Sequence, residues 1–295
     1  MGKIIFLDVD GTLVDFDGRM PESAKEALNQ AREAGHHLVL CTGRLKSQIY
    51  PEVLHMKFDG IIASAGAYVE CNEKLISRHV VENKELQKMI ECFEKTRTPY
   101  CFQTGEGVVV TADSQKLIQK HFRDAGMDEE AMNRILVDGV KVDNDLRIRM
   151  DVEKAAYYDS PESIEELQEM MGPYFKVETS SYEKGSGNSG EITRAGVNKA
   201  TGIREYVAYI GGRMEDTVAV GDGPNDVEMI AAAAISVAMG NASEDLKELA
   251  DFVTTDVKED GIKKAFQRLG IIGRQKNSLD SGNQFHKKYG QAGGC

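Results

Sequence analysis

The fold is decided by the stretch KIIFLDVDGTL at residues 3–13, in which an apolar run of strand length ends in two aspartates and a Gly-Thr turn. An uninterrupted apolar run of this kind is typical of a parallel strand buried on both faces. Because ligands of open α/β sheets bind beyond the carboxyl ends of such strands, Asp8 and Asp10 are candidate site residues. Two neighbouring carboxylates call for a cation, although turns that contain Asp and Gly also follow strands without any function.

The same pattern recurs twice further along the chain. The apolar run HLVLC at 37–41 ends in Thr42-Gly43-Arg44, and the run TVAVG at 217–221 ends in GDGPND, which includes Asp222, Asn225 and Asp226. Between them, Lys199 stands at the start of an apparent helix. Carboxylates, a hydroxyl, backbone N–H groups and an ammonium suit a phosphate ester, which needs a nucleophile, charge neutralisation and hydrogen-bond donors.

The ordered motifs DVDGTL, TGR, a lysine and GDGPND resemble those of the haloacid dehalogenase superfamily of phosphohydrolases, and within it the Cof-type branch. The resemblance covers nearly the whole chain. It implies an α/β fold with a Rossmann-like parallel-sheet core and an inserted α+β cap of type IIB. Relatives of this branch usually carry Asn-Gly after the third strand, where this chain has Ala65-Gly66.

The resemblance also implies roles for the acidic residues. Asp8 is expected to attack phosphorus and to form an aspartyl-phosphate, and Asp10 to protonate the leaving oxygen and then activate water. All-oxygen ligation points to Mg²⁺ as the cofactor. The expected metal residues are Asp8, Asp10, Asp222 and Asp226.

The groups expected to bind the phosphoryl oxygens are Thr42, the amide of Gly43, Lys199 and Asn225. Lys199 is also expected to act in catalysis, because an opposite charge nearby keeps Asp8 ionised. For Arg44, contact with solvent at a helix start and contact with substrate stay open as alternatives.

The spacing of the motifs predicts where the cap is inserted. The stretch from Asp8 to Thr42 is too short for a cap, whereas that from Thr42 to Lys199 has room for a whole domain. We expect a discontinuous catalytic core at 1–81 and 191–272, a cap at 82–190 with helices on one face of a small sheet, and a flexible tail at 273–295. A return hinge is expected at 180–190, and a helix near 45–55.

Composition excludes several classes of function. The 295 residues carry a net charge of −12, which argues against nonspecific binding to nucleic acid. No apolar stretch approaches the roughly 20 residues that span a bilayer. The first strand begins at once, so we expect no signal peptide and a cytoplasmic protein. Five cysteines without paired spacing predict reduced thiols, with Cys41 as filler at a strand end.

The resulting prediction is a Mg²⁺-dependent hydrolase of small phosphomonoesters, either sugar phosphates or phosphorylated cofactors. The alternatives are a phosphotransferase similar to phosphomannomutases and, outside catalysis, a module that binds a phosphorylated ligand. The partner is a small phosphorylated metabolite, without nucleic acid or membrane, and the sequence predicts no oligomeric state.

Overall fold

The computed structural model describes residues 2–15, 17–127, 140–179 and 188–273. These residues form two β-sheets and the helices that pack against them. The strands, in chain order, are β1 Ile4–Leu7, β2 His37–Cys41, β3 Gly60–Ala63, β4 Tyr68–Cys71, β5 Lys74–Arg78, β6 Tyr100–Thr104, β7 Gly107–Val110, β8 Val140–Val142, β9 Val152–Tyr157, β10 Phe175–Thr179, β11 Gly190–Arg194, β12 Thr217–Gly221, β13 Ile235–Ala238 and β14 Phe252–Val253. The described helices are α1 Glu22–Glu33, α2 Pro51–Leu54, α3 Asn83–Thr96, α4 Ala112–Asp124, α5 Ile164–Met171, α6 Lys199–Tyr209, α7 Val227–Ala232, α8 Glu244–Leu249 and α9 Gly261–Arg268.

The first sheet has the strand order β14-β13-β12-β1-β2-β3-β4-β5. The strands from β14 to β3 are parallel, and β4 and β5 add an antiparallel edge. Successive side chains of β1 point to opposite faces of the sheet, and both faces are buried. Ile5 and Leu7 pack under α1 and α9, while Ile4 and Phe6 pack under α6, which explains the unbroken apolar sequence of the strand. Helices therefore cover both faces, and the predicted α/β fold with a parallel sheet is confirmed.

The second sheet has the strand order β10-β11-β9-β6-β7-β8 and is antiparallel except for the β7–β8 pair. One of its faces is apolar and packs against α3 and α5. This face is built from Tyr100, Phe102, Val109, Ala155, Tyr157, Phe175, Val177 and Ile192.

Helix α4 differs from the sequence prediction, which placed the helices on one face of this sheet. Its Ile118 packs with Cys101, Val110 and Ala156, whose side chains point away from α3 and α5. The second sheet is therefore covered by helices on both faces, and α4 covers only the part of its face where the strands carry apolar residues.

The chain returns to the first sheet between β11 and α6, because β11 pairs with β9 and β10. This return lies a few residues after the expected boundary at 190/191. Most of the expected hinge, 180–187, and the expected tail from 274 onward lie outside the described residues.

Within the described part of the chain, no helix has the length and hydropathy needed to cross a membrane.

Candidate active site

Asp8 lies at the carboxyl end of β1, at the centre of the first sheet. Its backbone N–H donates to the carbonyl of Val220 in β12, which fixes the end of β1 against the strand that precedes Asp222. The Asp8 side chain is buried. The carboxyl ends of two adjacent parallel strands thereby bring their acidic residues to one edge of the sheet.

Lys199 is the first residue of α6, and its side chain is completely buried. Asn198 caps the helix by accepting from the backbone N–H of Thr201 at 2.9 Å, which is the local reason the helix begins here. The ammonium group of Lys199 donates to Oδ1 of Asp8 at 2.7 Å and to Oδ1 of Asp226 at 2.5 Å. One buried cation is thus shared by two buried carboxylates.

Asp226 is held on its second oxygen as well. Its Oδ2 accepts from the backbone N–H groups of Asp222 and Gly223, both at 3.0 Å. The close approach requires glycine at 221, because a Cβ there would lie 2.6 Å from Cγ of Asp226. Asp226 therefore orients Lys199 and the loop that carries Asp222.

Asp222 is positioned by two residues that the sequence analysis did not single out. The hydroxyl of Thr12 donates to Oδ1 at 2.9 Å, and Nδ2 of Asn241 reaches Oδ2 at 3.3 Å and the carbonyl of Gly11 at 2.8 Å. Oδ1 of Asn241 accepts from the backbone N–H of Val257 at 3.1 Å. Thr12 belongs to the first motif, and Asn241 follows β13 in the parallel sheet. Both could have been found in the sequence as polar residues that follow a parallel strand.

Three carboxyl groups, those of Asp8, Asp222 and Asp226, lie beside the single ammonium group of Lys199. Burial raises the pKa of Asp8 well above its ordinary value, against the opposing charge of Lys199. Burial, and then the charge of Asp226, raises the pKa of Asp222 to about 7. The charges of Asp226 and Asp8 raise the pKa of Lys199, although burial opposes them. Asp8, Asp222, Asp226 and Lys199 form an acid cluster that therefore favours a further cation.

Asp8, Asp222 and Asp226 each offer one oxygen, and these oxygens lie within 4.8 Å of one another. A set of carboxylate oxygens fits a hard divalent cation. Oδ2 of Asp8 accepts no hydrogen bond from the described residues, and Asp222 is only part-buried, whereas Asp226 is completely buried and held by an ammonium and two backbone N–H groups. Asp8 and Asp222 are therefore the better placed direct ligands.

Asp10, expected as a fourth metal residue, lies outside that group of three. Its two oxygens accept from Nε of Arg44 at 2.6 Å and from Nη2 of Arg44 at 2.7 Å. The hydroxyl of Tyr50 accepts from Nη2 of Arg44 and lies 3.3 Å from Asp10 Oδ1. Arg44 therefore pairs with Asp10, whereas the sequence left open only contact with solvent or contact with substrate.

Thr42 and Gly43 form the loop beside this cluster. Thr42 is buried, and its Oγ1 accepts from the backbone N–H of Arg44 at 3.2 Å. A Cβ at Gly43 would lie 3.1 Å from Nδ2 of Asn225, so the loop after β2 and the loop after β12 touch at these residues. All the predicted phosphate-binding residues therefore lie at the carboxyl edge of the first sheet.

The turn at Ser64-Ala65 is strained and forms hydrogen bonds with the loop that carries Thr42. Ser64 and Ala65 have φ of 50° and 53°, in the left-handed region that disfavours residues with a Cβ. The backbone N–H of Ala65 donates to the carbonyl of Thr42 at 3.1 Å, and that of Ser64 to the carbonyl of Arg44 at 2.7 Å. The strain is thus located where two strand-end loops meet.

Cys41 lies at the end of β2 and is completely buried. Burial raises the pKa of its thiol far above the ordinary value. The thiol therefore stays protonated and unreactive, in agreement with its interpretation as filler.

Comparison with known proteins gives one consistent result. The sequence pattern of the haloacid dehalogenase-like hydrolases matches residues 5–266. The chain is 27% identical over 267 residues to the 5-amino-6-(5-phospho-D-ribitylamino)uracil phosphatase YcsE of Bacillus subtilis, covering 90% of this chain and 94% of that protein. It is 26% identical over 292 residues to the phosphatase YwpJ of the same organism, covering 90% and 99%. Among solved structures, the subclass IIB sugar phosphatase BT4131 superposes with a TM-score of 0.73 at 30% identity, covering 92% of this chain and all of that chain.

Proposed function

The chain belongs to the haloacid dehalogenase-like hydrolases and is a phosphoric monoester hydrolase; on this premise we propose that it hydrolyses small phosphomonoesters with Mg²⁺ through a phosphorylated Asp8. The observation that carries the proposal is the position of Lys199, buried between Asp8 and Asp226 with Asp222 alongside. A surface lysine or a helix cap would have no reason to be buried among carboxylates, because burying a charge costs free energy unless it is paired.

In the first half of the reaction, Asp8 attacks the phosphorus atom. Lys199 holds Oδ1, and Oδ2 accepts no hydrogen bond from the described residues. A P–O bond to Asp8 forms as the bond to the leaving oxygen breaks, and the leaving oxygen takes the electron pair and a proton from Asp10. Mg²⁺, held by Asp8 and Asp222, would neutralise phosphoryl charge that otherwise repels the nucleophile.

In the second half, water attacks the phosphorus of the aspartyl-phosphate. Asp10 takes the proton of that water, the bond to Asp8 breaks, and inorganic phosphate leaves. The two N–H donors of Arg44 occupy both oxygens of Asp10. Each carboxyl oxygen retains a second lone pair, so Asp10 can give or take a proton there while Arg44 holds the group in place.

The remaining groups orient the phosphoryl oxygens. We assign this role to the hydroxyl of Thr42, the amide of Gly43, the ammonium of Lys199 and the side chain of Asn225, which share the rim of the acid cluster. Fixed donors stabilise the charge of the transition state because they need no reorganisation during the reaction.

The test is a phosphate-release screen over some dozens of phosphorylated metabolites, with and without Mg²⁺, run beside Asp8→Asn. We expect Mg²⁺-dependent release, and no release by Asp8→Asn, which retains the shape of the side chain but lacks its charge. Asn29→Asp serves as a control that changes charge at an exposed position of α1. Undiminished hydrolysis by Asp8→Asn would refute the mechanism, and isomerised sugar phosphate without free phosphate would identify a phosphotransferase instead.

A further inference from the structure

Tyr50 contacts both members of the ion pair that Asp10 forms with Arg44. The guanidinium of Arg44 lies over the ring of Tyr50, with Cζ 4.2 Å from the ring centroid. The hydroxyl of Tyr50 accepts from Nη2 of Arg44 at 2.6 Å and lies 3.3 Å from Oδ1 of Asp10, to which it donates. Tyr50 thus reaches the proposed general acid both directly and through Arg44, although it belongs to none of the motifs DVDGTL, TGR and GDGPND.

The backbone of Tyr50 is fixed by the short helix α2 that follows it. Tyr50 precedes Pro51, and its ψ of 133° is the extended conformation that the residue before a proline prefers. Its carbonyl accepts from the backbone N–H groups of Val53 at 3.0 Å and Leu54 at 3.1 Å. The Tyr50 side chain packs against the apolar core of the first sheet. These contacts hold Tyr50 in place independently of Asp10 and Arg44.

The loop that carries Asp10 also lies against the ring of Tyr50. Gly18, in this loop, has φ of 76°, and a Cβ there would lie 3.2 Å from Cε1 of Tyr50. Glycine permits both the positive φ and the close approach of the backbone to the ring. Tyr50 therefore joins the loop after β1, which supplies Asp10, to the loop after β2, which supplies Arg44.

The pair of Asp10 and Arg44 needs such support because it is near solvent. The side chain of Asp10 is 19% exposed and that of Arg44 is 21% exposed. An ion pair close to water gains little from charge alone, so its geometry depends on further contacts. The stacked ring and the hydroxyl of Tyr50 supply two such contacts to the planar guanidinium.

The orientation of Asp10 matters because a general acid must point at the atom that it protonates. Arg44 holds both oxygens of Asp10, which leaves one lone pair of each oxygen for the proton. If the guanidinium plane turns, the carboxyl plane turns with it, and the proton no longer points at the leaving oxygen. Misplacement of a reacting group by about 1 Å can cost about a hundredfold in rate.

We propose that Tyr50 is a positioning residue, which fixes the plane of the Arg44 guanidinium and thereby aims Asp10 at the leaving oxygen of the ester. The inference rests on the proposed function. Tyr50 itself neither gives nor takes a proton in this assignment, because it acts through Arg44 and Asp10.

The test compares p-nitrophenyl phosphate with benzyl phosphate. The p-nitrophenolate ion leaves without a proton, whereas the benzyl alkoxide needs one from the general acid. We expect Tyr50→Leu to lower kcat/KM for benzyl phosphate about tenfold more than kcat/KM for p-nitrophenyl phosphate, which is part of the hundredfold or more that a general acid contributes. Tyr50→Phe, which retains the ring and lacks the hydroxyl, is expected to change this ratio in the same direction and less.

The matched control is Tyr209→Leu, which makes the same change at an exposed position at the end of α6 and is expected to leave the ratio unchanged. In the Asp10→Asn background, Tyr50→Leu is expected to have no further effect on the ratio, because the acid that it positions is absent. A packing defect would act equally in both backgrounds. Thermal unfolding of each variant establishes that it is folded.

The Nε–H group of Arg44 reports the same positioning without turnover. Its ¹H–¹⁵N signal is assigned by its absence in Arg44→Lys. We expect this proton to exchange with water about tenfold faster in Tyr50→Leu, because its hydrogen bond to Asp10 opens more often.

An unchanged ratio of kcat/KM in Tyr50→Leu, or an equal effect of this change in the Asp10→Asn background, would overturn the inference while phosphatase activity persists. Equal exchange rates of the Arg44 proton with and without Tyr50 would overturn it as well. Failure to hydrolyse any ester counts against the proposed function, and the exchange rate then decides whether Tyr50 fixes Arg44.

Discussion

Replacing Lys199 with methionine tests whether the acid cluster depends on one buried cation. Methionine has a similar length but no charge, so Asp8 and Asp226 remain buried without their shared partner. Breaking a buried ion pair by removing one partner costs about 3–5 kcal/mol. We therefore expect the free energy of unfolding of the metal-free protein to fall by that amount.

Thermal unfolding in EDTA measures this change. For domains of this size, 1 kcal/mol corresponds to about 2–4 °C, so we expect Tm to fall by about 6–20 °C. Mg²⁺ is expected to raise Tm of Lys199→Met more than that of the unaltered protein, because the ion replaces part of the missing charge. Phosphate release is expected to be lost at every Mg²⁺ concentration.

Two further variants separate this explanation from a simple packing defect. In the double variant with Asp226→Asn, one uncompensated charge is removed, so part of the lost stability is expected to return. Lys116→Met breaks an exposed pair with Asp113 and is expected to change Tm little. A fall in Tm below about 2 °C for Lys199→Met, or a double variant as unstable as the two losses combined, would refute the reasoning.

Three other perturbations follow from the site and its supporting turn. Asn241→Ala is expected to weaken Mg²⁺ binding, measured by calorimetry, about tenfold or more, because Asn241 orients Asp222; the exposed Asn29→Ala is its control, and equal dissociation constants would contradict the role. The pKa of Asp222 is about 7 in the folded chain against an ordinary value of 3.8, so the folded state retains this proton longer, and the free energy of unfolding in EDTA is expected to fall as pH rises from about 4 to about 7; urea unfolding across this range checks it, and Asp222→Asn is expected to flatten the slope. Ala65→Gly is expected to stabilise the fold by about 0.5–1 kcal/mol, because Ala65 has a left-handed φ, whereas Ala208→Gly, at an exposed position inside α6, is expected to destabilise it; urea unfolding with both changes of the same sign would contradict the assignment of strain.

The first sheet was accessible to sequence reasoning because its signals are local. The runs 37–41 and 217–221 were predicted with the bounds that the structure has. Strands buried on both faces are continuously apolar, and the residues that follow them must meet at one edge. The α/β fold and the family are therefore confirmed from a few short motifs.

What the sequence did not predict depends on contacts between distant segments. The partner of Asp10 is Arg44, and the choice among solvent, substrate and carboxylate for that guanidinium is made only when the loops after β1 and β2 meet. The face of the second sheet that α4 covers is likewise decided by which strands carry apolar residues there.

The expected helix near 45–55 shows a different kind of error. The structure has a single turn at Lys46–Gln48 and then the short α2 from Pro51. The residue before a proline avoids helical φ and ψ, and Tyr50 accordingly has ψ of 133°. The interruption could have been predicted from Pro51 alone.

The two sheets are formed by separate lengths of the chain. Every member of the acid cluster is contributed by segments on either side of the insertion, while the second sheet comes wholly from within it. A substitution in the insertion therefore leaves the nucleophile and its neighbours in the sequence unchanged. Changes can accumulate in the insertion without altering any residue of the acid cluster.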